Sequence, residues 1–293
     1  MNTIFITGAS SGIGRATAKH FAENGWNVVA TMRSPEQETE FITLDNVLVL
    51  RLDVEQADTI QTALAEAIDR FGTIDVLLNN AGYGTMGLIE AATEEQIRRQ
   101  FEVNVFGLIR MTKAMLPHFR SNQKGMLINI SSMGGRVTFP TMSLYHSSKF
   151  AVEGFSESVS YELASQNIKV KLIEPGAIHT DFGGRSMEFF YNDDLTDYKL
   201  FTGAFRAKLG EMEKQPAYAS PPEIVAETIY QAATDGTNQF RYIVGDDAKM
   251  LIQMKKNTAE EEYLTRACLK TNHIEATSTE SSRKRERQSL KSF

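Results

Sequence analysis

The sequence predicts an α/β fold, a doubly wound parallel sheet with helices on both faces, in a single domain. Three observations carry this expectation. Short runs of Val, Ile, Leu and Phe alternate with longer amphipathic stretches, the rhythm of strands buried on both faces and linked by helices. A glycine-rich turn joins the first apolar run to the first amphipathic stretch, where a strand end meets the free N–H groups of a helix. With 293 residues, 42% of them hydrophobic, the chain is long enough to cover a sheet on both sides.

The apolar runs place strands at 3–7, 27–31, 47–52, 76–79, 126–130 and 169–174. They are short and rich in branched residues, as interior parallel strands are. Helical periodicity fills 12–24, 57–71, 94–119 (with one break) and 147–164. Right-handed crossovers then put the helices on both faces. After Pro175 the rhythm changes, and residues 181–220 mix Phe, Tyr, Met and Leu with charges and glycine. Pro221 and Pro222 precede a helix expected at 223–234, with proline in its first turn. "FRYIVG" (240–245) reads as a last strand and 247–270 as a terminal helix. The resulting plan is a main domain over 1–245 with an insertion near 181–220, a helical extension over 246–270, and a tail over 271–293. The tail's Ser, Thr, Lys, Arg and Glu content predicts disorder, "RKRER" (283–287) included.

A net charge of −6 gives no basic field for nucleic acid. Cys268 is the single cysteine, so no internal disulfide forms, which suits a reducing compartment. The opening "MNTIFITGAS" has neither a basic leader nor a long apolar stretch. No apolar run approaches the ~18 residues of a membrane span. A cytoplasmic protein without membrane or nucleic-acid partners is expected. The five histidines, His20, His118, His146, His179 and His273, show no metal-ligand spacing, so no metal is expected.

"ITGASSGIGRATA" (6–18) sets Gly8, Gly12 and Gly14 between strand and helix. Glycines there permit a tight turn and close approach to a pyrophosphate, and the helix N-terminus adds positive potential. An ordinary strand-to-helix turn is the alternative. About 20 residues on, folds of this kind read the adenosine ribose. Here the second strand ends "VVATMRSPE", with no acid at Met32 and with Arg33 following. A carboxylate favours the free hydroxyl of NAD, whereas an arginine favours the 2′-phosphate of NADP. NADP is therefore expected in preference to NAD, unless Arg33 is only a solvated surface charge. In "YHSSK" (145–149), Tyr145 and Lys149 stand at i and i+4 and share one helix face. An ammonium beside a phenol favours the phenolate and suits Tyr145 to acid–base work.

In order along the chain stand "TGASSGIG" (7–14), "LDV" (52–54), "NNAG" (79–82), "VNVFG" (103–107), "NISS" (129–132), "YHSSK" (145–149) and "PGAIHT" (175–180). Over roughly residues 1–245 the chain resembles the short-chain dehydrogenase/reductase family, in its compact single-domain branch with a Rossmann-type sheet. The resemblance implies that Gly8, Ser10, Ser11, Gly12, Ile13 and Gly14 cradle the cofactor pyrophosphate. Asp53 and Val54 would meet the adenine, and Asn80, Ala81 and Gly82 would line the adenosine ribose. Pro175, Gly176, Ile178 and Thr180 would stand by the nicotinamide. It also implies four catalytic residues. Tyr145 exchanges a proton with the substrate oxygen. Ser132, thirteen residues before Tyr145 and preferred over Ser131 on that spacing, polarises that oxygen. Lys149 tunes Tyr145 and holds the ribose, and Asn104 holds a water in a proton relay. Plainer roles stay open: Asp53 or Thr180 as a cap, Asn79 and Asn80 as turn residues. A homodimer or homotetramer through 105–119 and 147–164 is implied as well.

The variable segment offers Phe182, Met187, Phe189, Phe190, Tyr191, Phe201, Phe205 and Met212, with Met86, Met133, Phe139 and Leu144 for the same wall. Such a lining suits a moderately large apolar alcohol, aldehyde or ketone. Packing of a lid helix would use the same residues. "FPTMSLYHSSKFAVEGFSESVSYEL" (139–163) is similar to the hydroxysteroid and retinol dehydrogenase-like subgroup. A cofactor-binding redox sensor without turnover is the alternative function, and intact Ser132, Tyr145 and Lys149 weigh against it. A sugar-nucleotide enzyme of the family's longer branch would space its glycines differently.

Overall fold

The structure, a computed structural model, describes residues 1–184, 186–213 and 219–264. Cys268, the tail over 271–293 with "RKRER", the last part of the expected terminal helix and the Met212 side chain lie outside the described residues.

The first strand is β1 (Thr3–Thr7) and all five of its residues are buried. It is the axis of a seven-stranded parallel sheet. Its neighbours are β2 (Asn27–Met32) and β4 (Val76–Asn79), with β3 (Val47–Arg51) outside β2. Beyond β4 follow β6 (Gly125–Ile130), β7 (Ile168–Pro175) and β9 (Arg241–Val244). The order is therefore β3-β2-β1-β4-β6-β7-β9. It reverses between β1 and β4, so a crevice opens at the carboxyl ends of those two strands.

Helices cover both faces. On one, α1 (Gly12–Glu23) and α7 (Pro222–Thr234) pack on Ile4, Ile6, Val28 and Ile128. On the other, α2 (Ala57–Phe71), α4 (Leu108–Ser121) and α5 (Ser143–Ala164) pack on Phe5, Val29, Leu77 and Leu127. Successive residues of β1 thus feed opposite cores, which is why the strand is apolar without alternation.

Three departures from expectation shape the site. The long helix of 94–119 is α3 (Glu94–Phe101), a π-helical turn (Glu102–Gly107) and α4, and the turn carries Asn104. Helix α5 begins at Ser143, four residues before the expected 147, so Tyr145 sits in its first turn. Finally, β5 (Gly84–Gly87) and β8 (Met187–Phe190) form a separate parallel pair that the pattern did not indicate. Glycines and a methionine give β5 no strand signature; Phe190 occupies the space a side chain on Gly87 would need, and Phe182 and Met187 that of Gly84. The variable segment also holds α6 (Lys199–Glu213), and α8 (Asp246–Asn257) is followed, after a break at Thr258, by a helical stretch over 260–264.

Candidate active site

A single cleft of about 2010 Å³ runs over the carboxyl ends of the strands. Drug-sized ligands occupy roughly 300–1,000 Å³, so this cleft has room for a dinucleotide and a second molecule.

Its first wall is the glycine turn. Gly8 has a φ of 72°, in the left-handed region that favours glycine. A Cβ on Gly14 would collide with the Gly8 carbonyl and with the Asn80 amide. That amide holds the turn, donating from Nδ2 to the carbonyls of Thr7 and Gly8, both at 2.9 Å. Thr7 answers by accepting at Oγ1 from the N–H groups of Asn80 and Ala81, both at 3.0 Å. Asn80 is thus a brace between β1 and β4 as well as a lining residue. Ser11, at the N-cap of α1, makes no side-chain capping bond, which leaves the first-turn N–H groups to a ligand. The residues present fit a dinucleotide pyrophosphate. Gly14→Ala should destabilise the fold by about 1–3 kcal/mol, as overpacking does. It should also weaken cofactor binding at least tenfold, as read by calorimetry.

At the end of β2, Met32 is buried while Arg33 is exposed on the cleft and makes no ion pair among the described residues. Of the acids that line the cleft, Glu38 comes from the loop just after β2. Its Oε1 accepts from the N–H groups of Glu40 (2.9 Å) and Phe41 (3.1 Å), and its Oε2 takes Arg15 at 2.5 Å. Arg15 and these N–H groups, working against burial, hold its carboxyl down to about 2. With its oxygens engaged, Glu38 anchors the 33–41 loop to α1 and is not left to grip a ribose. Asp53 accepts the Glu55 N–H at Oδ1 (3.1 Å) and Val54 is buried below it; both line the cleft.

Ser10, Ser11, Gly12, Ile13, Ala81, Gly82, Pro175, Gly176, Ile178 and Thr180 line the cleft with Ser132, Tyr145 and Lys149. Thr180 also caps the short turn that follows it, accepting the Phe182 N–H at 3.3 Å. Gly14 and Asn104 stand behind the wall. Asn104 is only 2% exposed. Its Oδ1 accepts the Tyr83 N–H (3.0 Å), and its Nδ2 donates to the Tyr83 carbonyl (2.9 Å) and to Ser148 Oγ (3.1 Å). Ser148 in turn donates to the Tyr145 carbonyl at 2.7 Å. An asparagine that is unfavourable in mid-helix is thus stabilised by clamping "NNAG" and the start of α5 together.

Tyr145 and Lys149 are buried on one face of α5, with Lys149 Nζ 5.9 Å from the Tyr145 ring centroid. Nζ donates to the Ile130 carbonyl at 3.0 Å. Burial pulls its ammonium down to about 8, and Glu153 partly restores it. Burial raises the Tyr145 phenol, and a hydrogen bond with Ser132 opposes this. Ser132 Oγ accepts the Gly134 N–H at 3.0 Å and faces the Pro175 carbonyl at 3.5 Å. His146 fixes the same loop: Nε2 accepts the Phe139 N–H (2.9 Å) and Nδ1 lies 2.9 Å from the Gly134 carbonyl, so the proton sits on Nδ1. It is a structural pin. Among the described residues no cluster of His, Cys, Asp or Glu can hold a metal, and no helix is long and apolar enough to cross a membrane.

Apolar side chains make up much of the lining beyond Tyr145, with Glu188 and Lys208 on the same elements. Phe182 meets the Tyr145 ring edge-on at 5.9 Å. Met86, Met133, Phe139, Met187, Phe189 and Phe205 join it. Phe190, Tyr191, Phe201 and Leu144 do not line the cleft. Phe190 and Leu144 are buried elsewhere, and Tyr191 is exposed and stacked on Phe189 at 6.2 Å. Sequence reasoning missed the far wall, which α8 and the stretch after it supply through Met250, Leu251, Met254 and Tyr263. Asp247 ties α8 down by accepting the Ala177 N–H at 2.7 Å. The methionine spacing 250, 254 was the one available signal.

Comparisons with known proteins agree with this geometry. The family model for short chain dehydrogenases matches residues 2–189. A 3-ketodihydrosphingosine reductase of Bacteroides thetaiotaomicron is 36% identical over 257 residues, 87% of this chain and 91% of that protein. A solved short-chain dehydrogenase from Streptomyces avermitilis superposes with a TM-score of 0.79 at 31% identity, over 93% of this chain and 98% of that one. ElxO, solved with NADP bound, gives 0.69 at 26% identity, over 85% and 98%. On these matches the chain is an oxidoreductase and belongs to the short-chain dehydrogenase family.

Proposed function

We propose that the protein interconverts an alcohol and a ketone or aldehyde with NADP(H), on a moderately large apolar substrate. The observation that carries this reading is that Ser132, Tyr145 and Lys149 face the same cleft as the glycine turn. When bound, the nicotinamide supplies or accepts the hydride. The chain's own residues do the rest. Ser132 Oγ, oriented by Gly134 N–H, donates to the substrate oxygen and polarises it. Tyr145 gives that oxygen a proton in reduction and takes it in oxidation. Lys149 favours the ionised phenol and binds the ribose hydroxyls. Asn104 keeps α5 and the Gly82–Tyr83 backbone in register and holds the relay water at its main chain. Phe182 keeps bulk water off the Tyr145 ring.

NADP rather than NAD is supported by Arg33, an unpaired cation on the cleft, and by the neutralised Glu38. Met32→Asp should lower the NADP-to-NAD ratio of kcat/KM at least tenfold, about 1.4 kcal/mol or more; an unchanged ratio sinks this assignment. The apolar wall, and a relative named for the reduction of 3-ketodihydrosphingosine, support an apolar carbonyl substrate. The test is a panel of ketones, aldehydes and alcohols followed by NADPH absorbance. Turnover of apolar carbonyls is expected. Tight NADPH binding with no oxidation by any of them would favour a sensor. Phe106, Phe150 and Tyr161 are exposed on the π-helical turn and α5, which supports a homodimer or homotetramer through these helices.

A further inference from the structure

A second cluster of charge lies behind the catalytic groups, and the chemistry above leaves it unused. Glu174 is wholly buried near the end of β7, one residue before Pro175. Glu153, also buried, is one turn beyond Lys149 on α5. Both acids meet Arg241 of β9: its Nε lies 3.1 Å from Glu153 Oε2 and 3.2 Å from Glu174 Oε1. Arg136, just past Ser132, donates from Nη1 to Glu174 Oε1 at 3.0 Å. At the solvent edge Arg241 also reaches Glu157 (2.7 Å), and Lys255 of α8 donates to the Arg136 carbonyl (2.8 Å).

Three buried oxygens here have no hydrogen-bond partner among the described residues: Glu174 Oε2, Glu153 Oε1 and Ser131 Oγ. A Cβ placed on Gly135 would press on Ser131 Oγ, Glu153 Cγ and the Lys149 carbonyl at once. Ser131 Oγ and Glu153 thus crowd one small space beside the Lys149 carbonyl, and Glu174 joins Glu153 through Arg241 Nε. A buried acceptor without a donor is costly. If both acids are ionised, the Ser131 hydroxyl is the only proton among the three oxygens. A second proton, on Glu174, adds a donor and relieves repulsion between two acids that both approach Arg241 Nε. Burial first, and then the Glu153 charge, raise Glu174 well above the usual carboxylate range, while Arg136 and Arg241 pull it back.

We propose that Glu174 is a positioning residue of the active site, an acid that holds a proton on the acid side of neutrality and acts on Lys149 through Glu153. In that form it leaves the Glu153 charge to support the Lys149 ammonium and holds the Ser132 loop through Arg136. As the medium turns alkaline Glu174 ionises, and the added negative charge behind α5 keeps the Tyr145–Lys149 pair protonated to higher pH. The inference rests on the roles given above to Tyr145 and Lys149.

Glu174→Gln keeps the shape of the protonated acid but cannot ionise. Its kcat at pH 6 should stay within about twofold of wild type, while the alkaline limb of kcat/KM moves down by about half a pH unit, the effect of removing a charge beyond direct contact. Glu153→Gln should move the limb further the same way, and Glu157→Gln should leave it in place. Infrared titration of the wild-type protein should show a buried carboxyl losing its proton near neutral pH, and this band should be absent from Glu174→Gln. Superimposable limbs, a uniform loss of kcat at every pH, or a wild-type protein without that band each overturns the proposal. An active Tyr145→Phe enzyme would overturn the underlying mechanism instead, so the two failures are distinguishable.

Discussion

Replacing Tyr145 by phenylalanine is expected to cut kcat by about 10³–10⁴-fold, the upper range for loss of a positioned proton donor, while NADPH still binds. The ring stays in place, because its packing against Phe182 and His146 does not involve the hydroxyl. What is lost is the one group that shares a hydrogen bond with Ser132 and faces the cleft from the first turn of α5. Folding should survive, since the swap preserves volume. NADPH fluorescence titration and single-turnover absorbance measure the two halves separately. A variant that turns over near the wild-type rate ends the mechanism. One that no longer binds NADPH shows that the hydroxyl serves the cofactor instead.

Lys149→Ala should damage both halves, with kcat/KM down about 10²–10⁴-fold and NADPH affinity weakened as well. The pH dependence carries more information than the size of the loss. Burial sets the Lys149 ammonium at about 8, so it is charged at neutral pH and neutral above that value. The advantage of wild type over Lys149→Ala should therefore shrink as pH rises through about 8. The stability sign is opposite to that of a paired lysine. The folded value lies below the ordinary 10.5, so between the two the unfolded chain binds more protons and the fold gains stability as pH rises. Lys149→Met, which removes a buried charge, should unfold at higher denaturant than wild type at pH 7. The lysine is retained at a cost to stability.

Tyr145, Lys149 and Ser132 were legible in the sequence because their relation is local. One helix turn fixes the first pair, and a strand end followed by a short turn brings in the third. The five inner strands, β1, β2, β4, β6 and β7, were legible for the same reason, since burial on both faces leaves an apolar run that needs no partner to be seen. Arg15 and Glu38 were not, because α1 and the loop after β2 meet only once the sheet has formed. Without that pairing, Glu38 reads as one more surface acid. The far wall was also hidden. Met250 and Met254 look like an ordinary helix stripe until Asp247 takes the Ala177 N–H and swings α8 over the cleft. Asn104 was marked by its awkward place in a helix, but its three-bond clamp depends on Tyr83 and Ser148, which come from elsewhere in the chain.

The small parallel pair, β5 with β8, makes two regions answer to each other. Gly84–Gly87 continues directly from the "NNAG" segment, and Met187–Phe190 belongs to the variable segment. Four residue pairs in register stitch them together. Drift in the variable segment is therefore not free. A change at 187–190 is felt along 84–87, just past Asn80–Gly82, whereas α6 lies outside that seam. New substrate preferences in this lineage should be acquired first along 199–213 and last along 187–190.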